Sequence, residues 1–213
     1  MKALKILSII FTAVFVCNIA VAQRGQFLTE SAKKRGAEKV KQMTDYIAFI
    51  ADKSEDYTDR VLYKNKAVKL FIQKCEPYTE NFDDGHSVYR QGVTMEVTSL
   101  RTRRVVRTPL MKEYLTNLLT LNYDQVKIES TELSEMQVSN LHLIRDNGDE
   151  REYSCTVYFE QAFQGYRDRR LWYKDITRKS VKCQIIANWN ELDKKWETIV
   201  RLGDVHALDT RAN

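Results

Sequence analysis

The chain has 213 residues, 34 of them basic and 29 acidic, a net charge of +5, and 43% hydrophobic residues. A balance so near neutrality excludes a strongly basic domain, so nucleic acid is not an expected partner. The length suits one domain with one solid core.

Lys2 and Lys5 precede an apolar run from Ile6 to Val16, and Ala20-Val21-Ala22 stands before Gln23. That order of charged, apolar and small residues is a cleavable secretory leader ending at Ala22. The run is shorter than the roughly 20 residues a membrane span needs, and Asn18 interrupts its end. Val14-Phe15-Val16 places a bulky valine where lipidation at Cys17 wants a small residue. Cleavage removes two of the 34 basic residues and none of the 29 acidic ones, leaving a net charge of +3. The expected product is exported to the periplasm, or secreted or held at the cell surface, with no transmembrane anchor after cleavage. Its expected organisation is a leader over 1–22, a helical lead-in over 23–57 and an α+β domain over 58–213.

From Ser31, Val40, Met43, Ile47 and Ile50 recur at spacings of three and four, while Lys33, Lys34, Lys39 and Lys41 hold the other face. This period predicts an amphipathic helix. After Lys53-Ser54-Glu55-Asp56, Thr58 is placed to cap a second helix with Val61, Val68, Ile72 and Cys75 on one stripe, ended by Pro77. A polar loop with Asp83-Asp84-Gly85 follows, then a short alternating strand through Val93, Met95 and Val97. Thr108-Pro109 starts a third helix with Met111, Leu115, Leu118 and Leu119 turned inward.

From Val126 to Ala207 the alternation is that of strands, with Asp146-Asn147-Gly148-Asp149, Gln164 to Asp168 and Asn190 to Asp193 as reversals. Gly203-Asp204 marks a bulge in the last strand. Three cysteines follow the leader, and Cys155 and Cys183 fall on inward faces beside Val157 and Val181. They read either as a disulfide, worth roughly 3.5 kcal/mol in the chain-entropy model, or as two small buried thiols. His86, His142 and His206 are widely separated and no Cys-x-x-Cys occurs, so no metal site is expected. No phosphate loop or nucleophile elbow appears either, and no cofactor is expected.

The element order, with Lys174-Asp175-Ile176-Thr177-Arg178-Lys179 leading into Val181-Lys182-Cys183 and Trp196 ahead of Leu202-Gly203-Asp204-Val205, resembles the nuclear transport factor 2-like family, also called cystatin-like or SnoaL-like. Gln23 directly after the small-residue site also resembles exported proteins of the Bacteroidota. The family resemblance implies an α+β fold in which N-terminal helices pack on a curved, mainly antiparallel sheet and leave a cone-shaped cavity, used by some members for ligands or proton transfer.

Chemistry in such a cone needs a carboxylate or histidine in an apolar pocket with a second donor nearby. His142, taken to face inward beside Val138 and Ile144, Asp124 and Tyr123 are the candidates. A lone strand histidine is more often structural, and an aspartate before a strand is more often a turn former. The best surface candidate is Tyr166, Arg167, Arg169, Arg170, Trp172 and Tyr173, which interleave aromatic faces with guanidinium groups: the pattern reads either as a grip on a partner protein or small ligand, or as cross-strand packing by Trp172 and Tyr173 with arginines that keep the tip soluble. Arg101, Arg103, Arg104 and Arg107 form a second basic cluster, read as solvated. The expected function is a non-catalytic binding or interaction module of the cell envelope. The alternatives are a small-molecule isomerase or hydrolase using the cone, and a homo-oligomerising subunit of an envelope secretion assembly.

Overall fold

A computed structural model describes residues 29–72, 74–100 and 107–212. The leader and Arg101, Arg103 and Arg104 lie outside the described residues.

Helix α1 covers residues 29–51 and buries the expected stripe: Val40, Met43, Ile47 and Ile50 are at most 1% exposed. Each such side chain removed from water contributes about 1.5–3 kcal/mol, so α1 is an integral wall of the core. Helix α2, Tyr57–Ala67, is capped by Asp56, whose carboxylate accepts from Thr58 N. The cap is therefore Asp56 and not Thr58. The helix also stops well before Pro77, passing through a 3-10 turn at Val68–Leu70, because Ile72 N donates to Leu202 O at 2.8 Å and draws the chain to the sheet edge. Ile72 is left half exposed.

The loop expected around Asp83-Asp84-Gly85 is the turn of a small hairpin, β1 Tyr78–Asn81 with β2 Ser87–Arg90. The strand expected at Val93 to Thr98 is a run of single bridges: Met95 lies parallel to Val205, while Thr94 and Val97 pair back to Leu110 and Arg107. Helix α3, Met111–Leu119, buries the four residues expected, Met111, Leu115, Leu118 and Leu119.

The main sheet is antiparallel: β3 Gln125–Ser130, β4 Gln137–Val138, β5 His142–Asp146, β6 Glu150–Arg167, β7 Arg170–Asn190 and β8 Lys195–Arg211. Its path is β3-β6-β7-β8, with β4 and β5 also paired to β6. Helices packed on one face of this large curved sheet make the α+β cone expected from the sequence. The bulge expected at Gly203-Asp204 is present, since Val181 and Cys183 pair with Val205 and Leu202. It turns Asp204 toward Thr94, whose N and Oγ1 both donate to its carboxylate at 2.8 and 2.9 Å.

Reversal between β6 and β7 comes at Asp168 and Arg169, with φ of 49° and 60°, later than the Gln164 to Asp168 segment pointed to. Gly165 instead sits within β6, at a shift of register. Cys155 and Cys183 stand directly opposite one another across β6 and β7. Both are free, buried thiols, so the disulfide reading is corrected to the buried-thiol one. A hydrogen bond between them holds the Cys155 thiol below its ordinary pKa and pushes Cys183 up. Burial raises Cys75 to about 12.

Candidate functional site

Side chains of a strand alternate between faces, and β7 has a core-facing row that ends in Val181, Cys183 and Ile185. Followed backward by twos, the same row gives Lys179, Thr177, Asp175 and Tyr173. These residues line a cavity of about 410 Å³ enclosed by α3, the start of β3, β6 and β7, within the range of small-molecule sites. Tyr114 and Leu118 of α3, with Leu121, Tyr123, Ile128 and Phe163, supply apolar walls. Larger depressions beside α1 and β8 present solvated charges such as Lys33, Lys34, Arg178 and Arg211.

The polar groups inside are unusual for a strand core. Asp175 is 6% exposed and Lys179 5%. Tyr173 Oη donates to Asp175 Oδ2. The same phenol oxygen accepts from Leu100 N at 3.0 Å and lies 3.0 Å from Ser99 Oγ. Burial raises the Asp175 carboxyl above its usual range, opposed by the Tyr173 hydrogen bond and the Lys179 charge. Lys179 moves the other way: burial lowers its ammonium to about 8, and the Asp175 charge holds it from falling further. Burial also raises the phenols of Tyr173 and Tyr114.

Two donors in the cavity lack a strong acceptor. Among the described residues, Lys179 Nζ has one hydrogen-bond acceptor, the thioether of Met95 at 3.5 Å, and its ammonium lies 5.9 Å from the Tyr114 ring centroid. Gln161 is 6% exposed and its Nε2 has no partner. Gln161 stands opposite Thr177 in the β6–β7 register, on the same face as Asp175 and Lys179. Thr177 itself is engaged with Thr210 at 3.0 Å. A buried donor left unpaired costs about 1–3 kcal/mol, and a ligand oxygen would recover that cost.

Of the residues singled out from sequence, Tyr123, Tyr173 and Arg107 line this cavity, Arg107 while still exposed. Tyr123 lies across Gly165, where an added Cβ would meet its ring carbons at 2.5–2.8 Å. Gly165→Ala therefore displaces the Tyr123 wall and is expected to cost about 1–3 kcal/mol as an overpacked position, a loss that denaturant melting reads directly. Asp124 is exposed and braces the hairpin turn, accepting from Asp168 N at 2.6 Å. It is the turn former that its place before a strand suggested. His142 does not face inward: every residue of β5 is exposed. Among the described residues nothing buries either face of β5.

The hairpin-tip cluster divides. Tyr173 turns into the cavity. Arg167 lies 5.4 Å over the Trp172 ring and 5.5 Å over the Tyr123 ring, and donates twice to Asn122 O. Tyr166 donates to Gln164 Oε1 at 2.6 Å. Arg169 and Arg170 project into water. The tip is thus largely braced by its own stacking, and the six residues do not form one surface. Asp175, Lys179 and Gln161 are not among the residues expected from sequence, because polar side chains in a strand ordinarily face water. The signal was present in the two-residue period counted back from Cys183.

No family model matches the chain, and no curated protein does. Among solved structures, a protein of Novosphingobium aromaticivorans described as a candidate scytalone dehydratase aligns over 86% of this chain and 89% of its own, with 12% identity and a TM-score of 0.34. A Kribbella flavida protein aligns over 83% and 93%, also with 12% identity and a TM-score of 0.34. Likeness of this strength carries no argument about chemistry, and the site is read from its own geometry.

Proposed function

We propose that the cone is a small-molecule site for general acid–base chemistry, of the isomerase or hydrolase kind, acting after export on a compact and mostly apolar substrate. The observation that carries this reading is Asp175: a carboxyl 6% exposed, raised by burial, oriented by Tyr173 and facing an apolar cavity that also holds Lys179. An acid pushed up and an amine pushed down suit proton transfer in both directions. Asp175 is the base and then the acid. Tyr173 positions it, and the aromatic walls select planar or cyclic substrates by burying their faces. The non-catalytic module expected from the sequence rested on the hairpin tip, where Arg167 stacks on Trp172 and Tyr123 while Arg169 and Arg170 stay exposed.

The test uses 2-indanone, a planar ketone with exchangeable α-protons and a size suited to the cavity. In deuterated buffer the protein is expected to accelerate α-deuteration followed by NMR, and Asp175→Asn to slow it about 10²–10⁴-fold, the ordinary contribution of a positioned base. Equal rates for the two proteins, with both folded by circular dichroism, would remove Asp175 from the chemistry.

A further inference from the structure

We propose that Lys179 is an amine nucleophile, and that the cone takes small aldehydes or ketones which it binds covalently as an imine on the Lys179 Nζ. This deepens the acid–base reading above and rests on the same cavity.

Three features of the site converge on it. Lys179 is almost wholly buried in an apolar cavity, yet no carboxylate grips its amine; its only acceptor among the described residues is the weak thioether of Met95. A structural buried lysine is ordinarily paired. Next, Gln161 offers an unpartnered Nε2 on the same face, placed to hold a carbonyl oxygen. Finally, Asp175 stands on that face, its carboxyl raised by burial above the usual range, to relay a proton to the oxygen that must leave.

The step balances without any redox partner. The neutral amine of Lys179 adds its lone pair to the carbonyl carbon. The C=O π pair moves to oxygen, which is steadied by Gln161 and takes the proton that the newly bonded, positively charged nitrogen gives up, so that the nitrogen regains its lone pair. The carbinolamine hydroxyl then accepts a proton from Asp175 and leaves as water while the nitrogen lone pair forms C=N. Carbonyl compound, amine and one proton become an iminium and water, and hydrolysis reverses the sequence. Asp175, now a carboxylate, is left beside the α-carbon whose protons the iminium has made acidic.

Burial supplies the amine in usable form. With its pKa lowered to about 8, about one Lys179 in ten is neutral at pH 7, against about one in 2,500 for an exposed lysine near 10.4.

The experiment is reductive trapping of the full protein at pH 7 with 2-indanone and sodium cyanoborohydride, followed by digestion and mass spectrometry. Lys179 is expected to carry the indanyl adduct at least about tenfold ahead of any exposed lysine, and the advantage to disappear on unfolding in urea. No adduct on Lys179, or one forming no faster than on exposed lysines, overturns the proposal. If deuteration of 2-indanone still depends on Asp175 in that case, the acid–base cavity stands without the covalent step. If neither adduct nor accelerated deuteration is seen, both readings fall.

Discussion

Lys179→Met is expected to make the protein more stable at pH 7, by up to about 3 kcal/mol, while emptying the cone of its amine. The ammonium is lowered from 10.5 to about 8 in the folded protein, and each unit corresponds to about 1.36 kcal/mol between the two charge states. For a chain of this size the gain amounts to a rise in melting temperature of roughly 6–12 °C. Its pH dependence identifies the cause. The folded state prefers the neutral amine, so the penalty stands in full below about pH 8, shrinks as the pH rises toward 10.5 and is gone above it. The stability gap between variant and parent should close over that window. Removing the ammonium also takes a favourable charge from Asp175, which makes about 3 kcal/mol a ceiling. A variant that instead loses stability would show that Lys179 is a satisfied structural group. Stability surrendered at a site that chemistry needs is a familiar trade, and few residues in this fold offer so large a measure of it.

Arg60→Ala is expected to move stability as far in the opposite direction. Arg60 is 5% exposed, and its guanidinium reaches the ends of two helices: Nε donates to Ile50 O at 2.7 Å, and Nη2 approaches Leu118 O and Leu119 O at 3.4 and 3.3 Å. Terminal helix carbonyls have no partner within their own helix and carry the negative end of its dipole. Truncation leaves these acceptors buried without a donor, at a cost of about 3 kcal/mol. Arg60→Lys should recover little of it, because an ammonium is a point charge and cannot present a planar fork to acceptors on two helices. Equilibrium urea melts of the three proteins measure this. A cost below 1 kcal/mol for the alanine variant would mean that water replaces the guanidinium at the helix ends.

The fold was legible where burial imposes a strict period. The stripe Val40, Met43, Ile47, Ile50 and the inward set Met111, Leu115, Leu118, Leu119 are buried as their spacing predicts, and Gly203-Asp204 marks a real bulge. Errors arose where distant pairing overrides local pattern. The second helix gives way after Ala67 because Leu202, far along the chain, claims the Ile72 amide, and no local signal carries that. His142 sits in a segment with good alternation, but alternation alone does not show which strands the helices cover. The site was hidden for a different reason. Asp175, Thr177 and Lys179 look like solvent-facing residues by composition, and only their phase relative to Val181 and Cys183 reveals that they point inward.

That shared phase has a consequence for how the molecule holds itself together in time. Strand β7 carries both an apolar anchor, from Val181 to Ala187, and the functional row, from Tyr173 to Lys179, on one continuous face. The anchor is clamped between β6, β8 and α1, and sets the pairing register. The row from Tyr173 to Lys179 continues the same pairing with β6, and its later part with β8. A slip of one residue would send Asp175 and Lys179 to the outer face, so the geometry of the proposed site depends on a ladder whose apolar grip begins two residues beyond Lys179. The two halves of β7 are then expected to open together, and hydrogen exchange should report Tyr173 to Ala187 as one cooperative unit.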